Sequence, residues 1–167
     1  MPQRAASWSF DEQDAKRIDQ LLHSFLYESG SRCVMLVDRA GQLITVAGDR
    51  PAFDSTAFAS LAAADFSAND QLASMIGEQE FSSLFHQGEK ESMYLADIAK
   101  RIILVVLFDD RATLGMIRIK VREVVRELSA IFTDLFRRME SRPSTRRIES
   151  AWIDEAEDEI DRLFGSL

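Results

Sequence analysis

Two stretches in the first half of the chain carry apolar residues at helical spacing. In the first, Ser9 followed by Glu12 fits a capping box, and Gly30 supplies a stop. Its apolar positions are Ile18, Leu21, Leu22, Phe25 and Leu26. This pattern predicts a helix over residues 10–28.

The second helix is predicted between a cap at Asp54 or Ser55 and a stop at Gly77, and it has two distinct faces. Large side chains form one face: Phe58, Leu61, Leu72, Met75 and Ile76. Mostly short side chains form the other: Ser60, Ala63, Ala64, Ser67, Gln71 and Ser74. We expect the large face on the protein's own sheet and the short face against another chain. Tight packing within one subunit is the alternative explanation of the short face.

Short apolar runs separated by polar turns predict two β-hairpins. Residues 33–37 and 43–46 form the first, with Gly41 in the turn. Residues 81–87 and 91–97 form the second. Antiparallel pairing within each hairpin is therefore expected.

The second half of the chain predicts one central strand and one long helix. Every residue from 102 to 108 is apolar, which indicates a strand covered on both faces. Apolar residues then alternate spacings of three and four over residues 114–139, as in a helix: Leu114, Ile117, Val121, Val124, Leu128, Ile131 and Leu135.

The resulting order, α-β-β-α-β-β-β-α, predicts an α+β fold in which helices cover a five-stranded antiparallel sheet. We expect this domain to occupy residues 1–141. A linker follows over residues 142–150, rich in Ser, Arg and Thr, and then an acidic amphipathic tail over residues 151–167.

The tail has two interpretations. Six carboxylates between positions 154 and 161 favour a solvated, disordered end. Large apolar residues argue instead for a recognition helix that orders on binding: Trp152, Ile153, Ile160, Leu163 and Phe164.

Charge is unevenly distributed along the 167 residues, whose net charge is −8. Such an acidic chain argues against nucleic acid as a partner. Residues 101–150 nevertheless carry eleven basic and seven acidic groups. Arg118, Arg122 and Arg126 recur every four residues on one helix face, either as a solvated face or as a docking stripe for an acidic partner.

Catalytic motifs are missing from the sequence. It has no P-loop, no GxGxxG, no HExxH and no GxSxG. His23 and His86 lack a second ligand at helical spacing, and Cys33 lies in an apolar run typical of an inert core thiol. We therefore expect no catalytic residue, no metal site and no cofactor. With no signal peptide or membrane span in the sequence, a cytoplasmic protein is expected.

The hairpin sequence LVDRAGQLI of residues 36–44 resembles the first hairpin of the Roadblock/dynein-light-chain superfamily, and the order of elements resembles it too. Further segments resemble MglB, the bacterial Roadblock family that acts on the Ras-like GTPase MglA. These are IGEQEF at 76–81, FHQG at 85–88, VVLFD at 105–109, LGMIR at 114–118 and, in the tail, IDRLF at 160–164.

The resemblance implies a homodimer whose sheets join at the third strand, near residues 80–87. The two second helices would lie side by side, and a Ras-like GTPase would dock across their short-side-chain faces. MglB-type proteins stimulate GTP hydrolysis by reshaping the switch region of the GTPase, without an arginine finger. Arg111, after the central strand, is the arginine with which to test this absence.

The resemblance also implies a role in cell polarity or motility, a location at a cell pole, contacts with other polarity proteins, and a tail that assists nucleotide exchange. One departure from the family pattern is Asn69-Asp70-Gln71, where Asp70 and Gln71 add bulk and charge to the expected docking helix. A non-catalytic Roadblock adaptor, or a small-ligand sensor of similar layout, is the alternative function.

Overall fold

Eight elements follow in the predicted order within residues 10–141, the part of the chain that this computed structural model describes. They are α1 (Glu12–Ser29), β1 (Cys33–Asp38), β2 (Leu43–Gly48), α2 (Ser55–Met75), β3 (Ser83–His86), β4 (Ser92–Ile98), β5 (Ile102–Phe108) and α3 (Leu114–Ser141). The α+β fold class is confirmed. The predicted linker and tail lie outside the described residues, so the boundaries proposed for them stay predictions.

The five strands form one antiparallel sheet in the order β2-β1-β5-β4-β3. β5 lies at its centre and pairs with β1 from Ile102 opposite Asp38 to Leu107 opposite Cys33. Six of its seven residues are buried, as expected for a strand that is apolar at every position. β2 and β3 are the two edges of the sheet.

Both faces of the sheet are covered, because successive side chains of a strand point to opposite sides. Met35, Leu95 and Val105 belong to a core cluster that α2 closes with Ala59, Ala62, Ala63 and Phe66. The alternate strand residues are equally buried: Val34, Leu36, Tyr94, Ala96, Leu104 and Val106. On that side α1 and α3 bury their apolar faces, including Leu22, Phe25, Ile117 and Leu128.

The ends of the elements differ in places from the expected ones. Asp11, not Ser9, caps α1, because its carboxylate accepts a hydrogen bond from the backbone N–H of Asp14 at 2.8 Å. Gly30 ends α1 in the left-handed conformation, as predicted. β3 is shorter than expected, since only four of its residues pair with β4.

Cys33 lies in the core, as its apolar surroundings predicted. It is 3% exposed, and burial raises the pKa of its thiol to about 11. Almost none of it is therefore a thiolate at neutral pH, which is the form that reacts.

Candidate functional site on the second helix

Helix α2 packs on the sheet with a narrow band of small residues that surrounds the ring of Phe66. Asp54 caps it, its carboxylate accepting from the backbone N–H groups of Thr56 at 2.9 Å and Ala57 at 3.2 Å. The residues buried beneath it are Ala59, Ala62, Ala63, Phe66, Asn69 and Ala73. Because alanines line this band, the helix approaches the strands closely, and Phe66 fills the remaining space.

The short-side-chain face predicted for docking is exposed at five of its six positions. Those five are Ser60, Ala64, Ser67, Gln71 and Ser74. The prediction is wrong for Ala63, which is 5% exposed and packs in the core cluster beneath the helix. The other five lie along one side of α2, where another chain could reach them.

The large apolar face was expected on the protein's own sheet, and this is wrong for four of its five residues. Phe58 does pack against the core. Leu61, Leu72 and Met75 are instead 70%, 58% and 83% exposed, and Ile76, directly after the helix, is 71% exposed. The sheet side of α2 is already filled by alanines and Phe66, so the larger aliphatic side chains are left on the outside.

These exposed residues form a second feature of α2 that the sequence interpretation missed. With the exposed Ala68 they make an outward stripe of Leu61, Ala68, Leu72 and Met75, spaced by seven, four and three residues on one helix face. The sequence shows the spacing of these residues, but it does not show that their side chains point away from the sheet. Isolated exposed apolar residues are ordinary, whereas several on one helix face are typical of an interaction surface.

The turn between β1 and β2 packs against the first half of α2. Gly41 adopts a φ of +91°, and a side chain there would place its Cβ 3.0 Å from the Cα of Ser60. The Ser60 hydroxyl donates to the Gly41 carbonyl at 3.4 Å. A glycine is required here both for its conformation and for this close approach.

Arg39, in the same turn, contacts the second half of α2 and holds it in place. Its guanidinium donates to Asp70 of α2 at 2.5 Å and to Asp97 of β4, and it lies 4.6 Å from the centre of the Phe66 ring. Burial acts to lower the pKa of Arg39, but the hydrogen bonds to Asp97 and Asp70 outweigh it and raise the pKa above its ordinary value. The group therefore stays charged and holds turn, helix and strand together.

This contact changes the significance of Asn69-Asp70-Gln71. We expected Asp70 and Gln71 to add bulk and charge to the docking helix. Asn69 is 7% exposed, and the carboxylate of Asp70 is turned towards Arg39, so its charge is neutralised within the domain. Gln71 alone adds an exposed side chain to the short face.

A further contact joins α2 to the edge strand β3. Nε2 of His86 lies 2.6 Å from a carboxylate oxygen of Asp65. Asp65 lies between Leu61 and Ala68 on the helix surface, four residues after the first and three before the second. The outward stripe and the edge strand β3 are therefore on neighbouring parts of the surface of the described domain.

Arg111 lies in the loop between β5 and α3. Its Nε donates to both carboxylate oxygens of Asp109, at 3.0 and 3.1 Å. This hydrogen bond lowers the pKa of Asp109 and raises the pKa of Arg111. The arginine is exposed but already engaged in its own loop.

Residues 17–108 match the Roadblock/LC7 domain. The chain belongs to the Roadblock/LC7 family. None of the helices that the structure describes in this Roadblock protein is long and apolar enough to cross a bilayer.

Solved structures of bacterial Roadblock proteins are similar to this one. MglB of Myxococcus xanthus is 38% identical, with a TM-score of 0.68, over 71% of this chain and 96% of that one. The gliding protein MglB of Thermus thermophilus is 26% identical, with a TM-score of 0.72, over 77% and 97%. An uncharacterised protein of Aquifex aeolicus is 24% identical over 162 residues, 96% of either chain. The expected likeness to MglB is confirmed.

The Arg39 contacts make a prediction about stability. Arg39→Met removes the partner of two half-buried carboxylates and should lower the free energy of unfolding by about 1–3 kcal/mol. Adding Asp70→Asn should restore part of that loss, because one uncompensated charge is removed. Urea denaturation of the single and double variants measures both effects.

Lys16→Met is the matched control for this cycle. Lys16 also pairs with a carboxylate, that of Glu12, but both side chains are largely exposed. Its loss should change stability by less than about 0.5 kcal/mol. Equal losses for the two single variants would contradict a fastening role for Arg39.

Proposed function

We propose that this Roadblock protein is a homodimeric regulator that stimulates GTP hydrolysis by a Ras-like GTPase of the MglA type, in the control of cell polarity or motility. The observation that carries the proposal is that α2 has two outward faces beside a free sheet edge. A helix with a short-side-chain face and an apolar stripe, both exposed, has surface for two partners. The likeness to MglB of Myxococcus and Thermus supports the choice of GTPase.

The first partner in this proposal is a second copy of the chain. The outer backbone groups of β3 are unpaired within the described sheet, and such an edge is a template for another strand. The outward stripe borders this edge through the contact between Asp65 and His86. Pairing of two β3 strands would bury both stripes together, and each fully buried Leu or Met contributes about 1.5–3 kcal/mol.

The second partner is the GTPase, which would dock on the short-side-chain face. Ser60, Ala64 and Ser67 project little from the helix, so a partner's backbone could approach closely there. The faces of two copies, side by side in the dimer, would together form the docking surface.

The mechanism we propose is conformational, with the chemistry supplied by the GTPase. Binding would favour the hydrolysis-competent arrangement of the switch region. The size of such an effect is limited by the difference in affinity for the two arrangements. The tail residues predicted to recognise the GTPase and to assist nucleotide exchange lie outside the described residues, and that role stays a prediction.

Charge on the short-side-chain face tests the docking surface. Ala64→Glu with Ser67→Glu should abolish binding of an MglA-type GTPase carrying a non-hydrolysable GTP analogue, because the carboxylates would be buried against the partner without counterions. Calorimetric titration measures the binding, and multiple-turnover hydrolysis measures the stimulation.

The control for this pair is Ala130→Glu, an exposed alanine on α3. It should bind and stimulate like the unaltered protein. Retained binding by the Ala64/Ser67 variant would overturn the docking surface. Binding without any stimulation of hydrolysis would indicate that the protein is an adaptor and does not activate the GTPase.

The outward stripe makes a separate prediction about self-association. Leu72→Glu should convert the dimer to a monomer, since it places a charge in the apolar contact between copies. Because Leu72 is 58% exposed in one subunit, the substitution should leave the secondary-structure content of each subunit unchanged. Light scattering gives the mass; a dimer that persists in the variant would exclude the stripe as its interface.

Arg111 tests whether the protein supplies an arginine to the GTPase. Arg111→Ala should leave the maximal hydrolysis rate within about threefold of the unaltered protein, whereas loss of an arginine finger costs about 10³–10⁵-fold. Single-turnover hydrolysis at saturating regulator separates this rate from affinity. A fall above about a hundredfold with intact binding would establish a finger.

A further inference from the structure

A groove runs along α3 on the face of the sheet opposite α2. Its helix side is formed by Arg118, Val121, Arg122 and Val125, and its strand side by Tyr94 and Ala96 of β4 together with Ser82 and Ser83 at the edge strand β3. Its volume is about 420 Å³. We call it the α3 groove. It combines an apolar floor with a basic wall.

The arginines of the basic wall have no ionic partner within residues 10–141. Arg118, Arg122 and, one turn further on, Arg126 are all exposed, and none forms an ion pair with another described residue. Lys120, on the same helix, is held by Glu28 and Glu123 at 2.7 and 3.0 Å. Like charges four residues apart destabilise a helix by a few tenths of a kcal/mol, so folding alone does not account for this row.

The charge of the groove contrasts with that of the chain. The whole protein carries −8, yet this face presents positive groups in a row. The single carboxylate at the rim, Asp97, is already bound by Arg39. A negatively charged partner is therefore repelled by most of the surface and attracted here.

We propose that the α3 groove is a docking site for an acidic segment of another polypeptide that has apolar residues on one side. Arginines four residues apart recur every ~6 Å along α3, the same rise that separates carboxylates four residues apart on a helical segment. Charge complementarity thus extends over successive turns. Val121, Val125 and Tyr94 would receive the apolar side of the segment.

The α3 groove is separate from the surface proposed for the GTPase. Tyr94 and Ala96 face the groove, whereas Leu95 between them belongs to the core cluster beneath α2. The sheet therefore lies between the two surfaces, and an acidic partner could bind while the GTPase is bound. This inference does not depend on the proposed GTPase function.

A labelled peptide of four Glu-Leu-Glu-Glu repeats tests the proposal with the full-length protein. Fluorescence anisotropy should show binding that weakens strongly between ~0.05 M and ~0.3 M salt, as screening increases. The same peptide with glutamine at every glutamate should bind at least tenfold more weakly. No binding of the acidic peptide, or equal binding of the two peptides, would overturn the proposal.

Variants locate the binding. Arg118→Glu with Arg122→Glu should weaken it more than tenfold, and the milder Arg118→Gln with Arg122→Gln should give an intermediate loss. Lys16→Glu with Arg17→Glu on α1 makes the same change in net charge and should have little effect. Equal losses of affinity for the α1 and α3 pairs would show that the peptide responds only to the net charge of the protein. That result would overturn the docking site. GTPase binding should be unchanged in all these variants, which separates this test from that of the proposed function.

Discussion

The close packing of α2 on the sheet is the constraint on which the other features of this protein depend. Ala59, Ala62 and Ala63 bring the helix against the strands, and Phe66 fills the space between them. Because that interface has no room for more bulk, Leu61, Leu72 and Met75 are left outside. In a single subunit these three side chains stay in contact with water, so their burial contributes little to the free energy of folding. Within the described residues this packing leaves an apolar surface beside an edge strand of the sheet, as the proposed homodimer requires.

The order of the elements and the central strand could be predicted because they depend on local periodicity. β5 is apolar at every position, and such a run has few alternatives to a buried strand. The orientation of α2 could not be predicted in the same way. One side of the helix carries mainly alanines and Phe66, and another carries Leu61, Leu72 and Met75. The distance between helix and sheet decides which of these two sides is buried. Size alone pointed to the wrong side.

Asp70 illustrates a second limit of local patterns. An aspartate within a helix suggests a solvated charge, and the sequence analysis expected Asp70 to add charge to the docking helix. Its partner, Arg39, is 31 residues away and lies in a turn whose position depends on the sheet. The displaced cap of α1 has a smaller cause, since Ser9 and Asp11 are both good capping residues and only the backbone path selects one of them.

Rigidity of α2 connects these contacts with the proposed mechanism. A regulator without catalytic groups can act only through the difference in its affinity for two arrangements of its partner. A loosely held helix would adapt to both arrangements and would lose conformational entropy on binding either. Here the Asp54 cap, the Gly41–Ser60 contact, the Arg39 contacts and the Asp65–His86 pair fix the helix along its length. Together these polar contacts would present one fixed surface of α2 to the partner.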